Sequence, residues 1–148
     1  KELRELGIDD TETIYVKDYW EPARCNELPA GVDLMHFDAA VHAGQGQAAK
    51  WLQRAINAED MKRKHLLEDG VLGSRTLEGA AACSSVNLVR RVAFYRILEA
   101  FDDPEDVHFA RGWVDRVLKA VMRATALLDL PKVVRWTEDQ PTEKEKSK

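Results

Sequence analysis

Apolar residues recur at helical spacing along most of the chain. Ala48, Trp51, Leu52, Ala55 and Ile56 follow one another at intervals of three and one, which places them on one face of a helix. Similar stripes run through residues 32–41, 88–98 and 113–128. The pattern therefore predicts an all-α fold.

Turn-forming residues divide these helices. Pro22 ends a short helix that starts after Thr11, and the loop over 21–31 is rich in proline and glycine. Gly44 and Gly46 permit positive φ and a change of chain direction. A second bend follows Asp69, where we expect positive φ at Gly70 and Gly73 and a helix cap from Ser74 or Thr76.

Length and composition are typical of one soluble globular domain. The chain has 148 residues, of which 45% are hydrophobic and 32% charged. Residues 137–148 contain no apolar side chain, so we predict a single helical domain over 1–136 and a mobile charged tail over 137–148.

Charge and cysteine content narrow the function classes. The net charge of −4 disfavours nucleic acid as a partner, since phosphate binding usually brings an excess of basic residues. Cys25 and Cys83 are too few for a disulfide framework. No apolar run reaches the roughly 20 residues of a membrane span, and the charged N-terminus is not a signal peptide.

Five short motifs, in order along the chain, carry a resemblance. They are Ile14-Tyr15-x-x-x-Tyr19-Trp20; Asp38-x-x-Val41-x-x-Gly44 with Leu52-Gln53-x-Ala55; Asp69-Gly-Val-Leu-Gly-x-x-Thr76; Arg91-x-x-Phe-Tyr95; and Phe109-x-x-Gly-Trp113-x-x-Arg116. In this order they resemble glycoside hydrolase family 108, a family of N-acetylmuramidases, together with its C-terminal predicted peptidoglycan-binding domain.

The resemblance implies a lysozyme-like helical fold, of which this chain would be the C-terminal lobe. It implies cleavage of the β-1,4 bond between N-acetylmuramic acid and N-acetylglucosamine. The family's general acid lies in a Glu-Gly-Gly-Tyr motif that the chain lacks. We therefore expect that this glutamate lies upstream or was lost, assign no catalytic residue here, and leave open whether the chain is an enzyme.

The resemblance also implies partners and location. Peptidoglycan glycan strands are the expected partner, no cofactor is expected, and the oligomeric state is not predicted. The site of action would be the bacterial cell wall in the periplasm, after synthesis in the cytoplasm. His42 stands where the family usually has asparagine.

Five residues are candidates for substrate binding. Tyr15, Tyr19 and Trp20 offer aromatic faces on which sugar rings could stack, although aromatic residues more often belong to a core. Asp38 and His42 share one helix face. Asp38 has an alternative role in helix packing, because buried polar groups are normally structural.

His36 adds a third metal-type ligand near Asp38 and His42, but points elsewhere on the helix, so we predict no metal site. Three functions remain open. The first is part of an endolysin-type peptidoglycan hydrolase that cleaves the glycan or helps to bind it. The second is a non-catalytic peptidoglycan-binding module, and the third is a structural helical domain that binds a protein partner.

Overall fold

The computed structural model describes residues 8–59, 62, 65–102 and 107–128. Within these residues the chain is helical and contains no strand, so the predicted all-α class is confirmed. The α-helices are α1 (Ile8–Tyr15), α2 (Val32–Ala43), α3 (Gln45–Glu59), α4 (Ser74–Ala82), α5 (Ser85–Glu99) and α6 (Val107–Ala126).

The first helix changes its winding before it ends. A π-helical turn over Val16–Trp20 follows α1, and the Glu21 amide donates to the Val16 carbonyl at 2.9 Å, five residues back. The loop predicted over 21–31 contains a 3₁₀ turn over Cys25–Glu27. The residue just before this 3₁₀ turn, Arg24, is its N-cap and has a positive φ of 53°. The helix ends ahead of Pro22 as the sequence predicts, but it begins at Ile8, so the expected start after Thr11 is wrong.

The predicted glycine break separates α2 from α3. Gly44 adopts φ 88°, and its amide donates to the Ala40 carbonyl, which closes α2. Gly46 instead lies inside α3. The positive φ expected here is therefore confined to Gly44, and one residue is enough to reverse the chain.

The core lies where α2, α3 and α5 meet, with α6 packed on α2 and α5 and α4 packed on α3. The apolar stripe of α3 is buried as its spacing predicts. Apolar core side chains come from several helices, among them Met35, Trp51, Leu52, Ile56, Leu88, Val89 and Val117.

The bend before α4 differs from the prediction. Gly70 has φ 77° as expected, but Gly73 has φ −89° and ψ 177°, so the expectation of positive φ at Gly73 is wrong. Extended backbone suffices at Gly73 because it serves as the N-cap of α4. That helix has no side-chain cap, so the predicted capping by Ser74 or Thr76 is also wrong.

The division into a domain over 1–136 and a tail over 137–148 remains a prediction, since residues 129–148 lie outside the described residues. The Cys25 side chain is buried and that of Cys83 is partly exposed. None of the described helices combines the length and hydropathy that crossing a bilayer requires.

Candidate functional site

Four aromatic side chains form a row at the junction of α1, the π-helical turn and α2; we call it the aromatic row. Tyr15 lies 5.9 Å from Tyr19 between ring centroids and 6.3 Å from Phe37. Trp20 lies 5.4 Å from Phe37 on the other side. Phe37 therefore joins the three aromatic residues predicted from the sequence. Its place in an apolar stripe gave no signal of this role.

The aromatic row is partly buried at Trp20 and more exposed at Tyr15. Trp20 packs partly against the core, and its indole N–H donates to Oδ1 of Asn26 at 3.0 Å. Tyr15 is 43% exposed. The π-helical turn carries Tyr19 and Trp20 in an unusual register, a feature that is frequent at functional sites. The row can offer ring faces and edges to a flat apolar ligand surface.

Asp38 sits between two guanidinium groups. Its Oδ2 accepts from Arg96 of α5 at 2.8 Å, and its Oδ1 pairs with Arg116 of α6 at 3.1 Å. The Arg96 side chain is fully buried. Both carboxylate oxygens of Asp38 are thus engaged in joining three helices. This arrangement suits an anchor or a positioning group and does not suit a general acid, which must carry a proton.

His42 lies one turn beyond Asp38 and packs edge-on against Trp113 of α6, with ring centroids 4.5 Å apart. Burial lowers the pKa of His42, and the positive charges of Arg96 and Arg116 lower it further, against the opposing effect of Asp38. Two of the three charged groups that act on this ring are therefore guanidinium groups.

The five predicted binding residues fall into two groups. Successive residues of a helix are about 100° apart, so Phe37 and the Asp38–His42 pair leave α2 on different sides. Phe37 faces Tyr15 and Trp20, whereas Asp38 and His42 face α5 and α6. Only tertiary packing reveals this separation.

His36 points away from both groups. It is 3% exposed in a layer of apolar side chains from α2, α3 and α5. Burial lowers its pKa to about 4. In the described part of the chain, no three His, Cys, Asp or Glu side chains are grouped to hold a metal ion.

A surface pocket of about 320 Å³ lies beside the Asp69 turn. Gln53, which is 2% exposed, organises its floor: its amide nitrogen donates to Asp69 Oδ1 and to the Val71 carbonyl, both at 2.9 Å. Its amide oxygen accepts from Gly70 N at 3.0 Å. The Thr76 hydroxyl lies 3.3 Å from the same amide nitrogen, and Thr76 is within the first turn of α4 rather than at its N-cap.

The pocket rim carries Arg75 and Ser74, which are exposed. The motif around Asp69 and Gln53 was visible in the sequence, but no pocket residue was predicted to bind. The pocket is recognisable only in the structure, because its lining brings together side chains from α3, the turn and α4.

Comparison with known proteins relates the N-terminal part of the chain to a family. Residues 1–44 match the model of the family described as Glycosyl hydrolase 108. A search of curated proteins finds no match. Among solved structures, SagA of Brucella abortus is similar, with 26% identity and a TM-score of 0.75 over 90% of this chain and 71% of that chain. These findings support a glycosyl hydrolase 108-like family; the C-terminal peptidoglycan-binding domain remains a prediction.

Proposed function

We propose that this chain, whose residues 1–44 match the glycosyl hydrolase 108 family, is the part of a peptidoglycan hydrolase that forms one wall of the glycan-binding cleft. The family likeness supports a peptidoglycan-related function. The proposal adds that α1, the π-helical turn and α2 bind the glycan strand. It also adds that the general acid comes from outside these 148 residues.

The observation that carries the proposal is the aromatic row. It lies within residues 1–44, the segment that matches the family. Its rings are partly exposed and held by packing on α2 and by the Trp20–Asn26 hydrogen bond. Ligand sites are often lined by such aromatic side chains with a few polar groups, and sugar rings have apolar faces that can stack on them.

The test is binding to purified sacculi. We expect Tyr15→Ala to weaken sacculus binding while the melting temperature stays close to that of the original chain, because Tyr15 is 43% exposed. Phe94→Ala is the matched control, since Phe94 is a 59% exposed aromatic residue on α5. Equal binding by the two variants would refute the assignment of the aromatic row.

Catalysis is tested separately. The chain by itself should release no reducing sugar from sacculi, whereas a longer chain that carries a Glu-Gly-Gly-Tyr motif should release it. Asp38 has both oxygens held by arginine side chains and is not expected to act as the acid. Release of reducing sugar by the 148 residues, abolished by Asp38→Asn, would place catalysis within them.

The pocket beside Asp69 favours a second candidate, a non-catalytic peptidoglycan-binding module. Its volume of about 320 Å³ is within the range of small-ligand sites. In that case Arg75→Ala, at the pocket rim, should weaken sacculus binding, and Arg123→Ala, exposed on α6, should not. If neither Tyr15 nor Arg75 matters, the chain is better explained as a structural domain that binds a protein partner.

A further inference from the structure

Unpaired polar atoms concentrate at one place in the described part of the chain. Among the described residues, five buried side-chain nitrogens lack a hydrogen-bond partner. Four of them lie on neighbouring side chains: Nδ1 of His42, Nε of Arg96, Nε1 of Trp113 and Nε of Arg116. Buried polar groups are normally paired, and each unpaired one is costly, so four on neighbouring side chains require an explanation.

These side chains form one group, which together with Asp38 we call the Arg96 cluster. Asp38 and His42 are four residues apart on α2, and Trp113 and Arg116 are three apart on α6, so each pair shares a helix face. The faces meet through the His42–Trp113 ring contact and the Asp38–Arg116 ion pair. Arg96 of α5 binds Asp38 from the interior.

The chemistry of the cluster is that of an anion receptor. The Arg96, Arg116 and Trp113 nitrogens are N–H groups that can only donate. Two guanidinium groups face a single carboxylate, which leaves an excess positive charge. Burial of Arg96 and the nearby Arg116 both act to lower the Arg96 pKa, so an added negative charge would be favourable here.

We propose that the Arg96 cluster binds a carboxylate group of the ligand. A carboxylate offers two oxygens with several lone pairs, so it can accept from more than one of these donors at once. The Arg116 side chain is 41% exposed, which opens the cluster to solvent on the α6 side. The source of the carboxylate rests on the proposed function: either the lactyl group of an N-acetylmuramic acid unit that carries no stem peptide, because an attached peptide converts this carboxyl into an amide, or the free acid groups of the stem peptides.

Nuclear magnetic resonance can test carboxylate binding directly on the 148-residue chain. The probes are N-acetylmuramic acid and D-alanyl-D-alanine, with N-acetylglucosamine and the amide of D-alanyl-D-alanine as matched probes without the carboxylate, all at constant ionic strength. We expect the Trp113 indole N–H and the Arg96 and Arg116 Nε–H signals to shift with the acids only. The probe that binds more tightly identifies the source.

The chain provides internal controls. The indole N–H of Trp51 is paired with Glu99 at 2.7 Å, and that of Trp20 is paired with Asn26, so neither signal should move. No shift at Trp113 with either acid, or equal shifts with the uncharged probes, would overturn the proposal.

Variants supply the second readout. Arg116→Gln should weaken binding of the acids about tenfold or more, because a charge-assisted hydrogen bond is lost. Arg111→Gln, exposed on the same helix, should leave binding unchanged. Should Arg116→Gln fail to fold, Trp113→Phe keeps an aromatic side chain at this position, although a smaller one, and removes the indole N–H donor. Unchanged affinity in the folded variant would refute the proposal.

Failure of this inference is distinguishable from failure of the proposed function. Loss of sacculus binding in Tyr15→Ala with no carboxylate response at Trp113 would uphold the glycan wall alone. A carboxylate response without any sacculus binding would uphold the receptor alone.

Discussion

The buried His36 should make the fold sensitive to mild acid. Its imidazole is 3% exposed among Val32, Met35, Leu52 and Leu88, and its Nδ1 has no hydrogen-bond partner. Burial lowers its pKa from 6.5 to about 4. In the folded state His36 stays neutral until the pH approaches 4, whereas in the unfolded chain the same imidazole binds a proton as the pH falls below 6.5.

The sign and size of the effect follow from this difference. A folded-state pKa below the unfolded value means that the unfolded state binds more protons, so acid favours unfolding. The contribution of His36 is fully present above pH 6.5 and is lost as the pH falls from 6.5 towards 4. Proton linkage gives a loss of about 2 kcal/mol at pH 5 and about 3 kcal/mol below pH 4.

The assay is urea unfolding at pH 7 and at pH 5, followed by tryptophan fluorescence. We expect the original chain to lose about 2 kcal/mol more free energy of unfolding between these pH values than His36→Leu. The loss of stability is measured between the two pH values within each protein, so a change in packing caused by the substitution cancels. His36→Phe provides a second replacement if His36→Leu does not fold.

His108→Gln is the matched control, because His108 is exposed on α6 and its replacement should leave the pH dependence unchanged. An identical loss of stability in the original chain and His36→Leu would show that His36 does not account for acid sensitivity. The reasoning about its burial would then be wrong.

Two further predictions concern stability. Gly70→Ala should destabilise the fold by about 1–3 kcal/mol, because Gly70 has φ 77° and an added Cβ would lie 2.8 Å from the Gly46 carbonyl oxygen. Gly73→Ala is the control: its position is open and extended, so it should destabilise the fold far less in the same melting experiment. Asp38→Ala should lower the free energy of unfolding by about 3–5 kcal/mol, because it leaves the charge of the buried Arg96 without its carboxylate. Asp115→Ala breaks an exposed pair with Lys119 and should lower it by under about 1 kcal/mol. Equal losses in the two variants would contradict the ion-pair argument.

Local chemistry accounts for the parts of the fold that were predicted. The stripe from Ala48 to Ile56 has the helical period, so any fold that buries it makes α3. Gly44 ends α2 because few other residues adopt a positive φ without strain. At Gly73 the local pattern was not sufficient, because a glycine permits positive φ but does not require it. There the turn enters α4 with an extended backbone.

The candidate site was predicted as residues but not as an arrangement. Tyr15, Tyr19 and Trp20 were visible as aromatic residues near one another, but Phe37 joins them only because α2 packs against that segment. Asp38 and His42 share a helix face in any α-helix. Their partners Arg96, Trp113 and Arg116 lie at least 50 residues further along the chain, beyond the reach of any local pattern.

The amino-acid sequence by itself determined the helical class, the glycine break after α2 and the motifs that resemble glycoside hydrolase family 108, because each depends on spacing within one or two turns of chain. The tertiary structure alone decided which charges meet. It placed Arg96 in the interior against Asp38 and left four donors and acceptors of the Arg96 cluster without protein partners. Burial makes these groups a candidate receptor, since removal from water makes each unpaired polar atom costly.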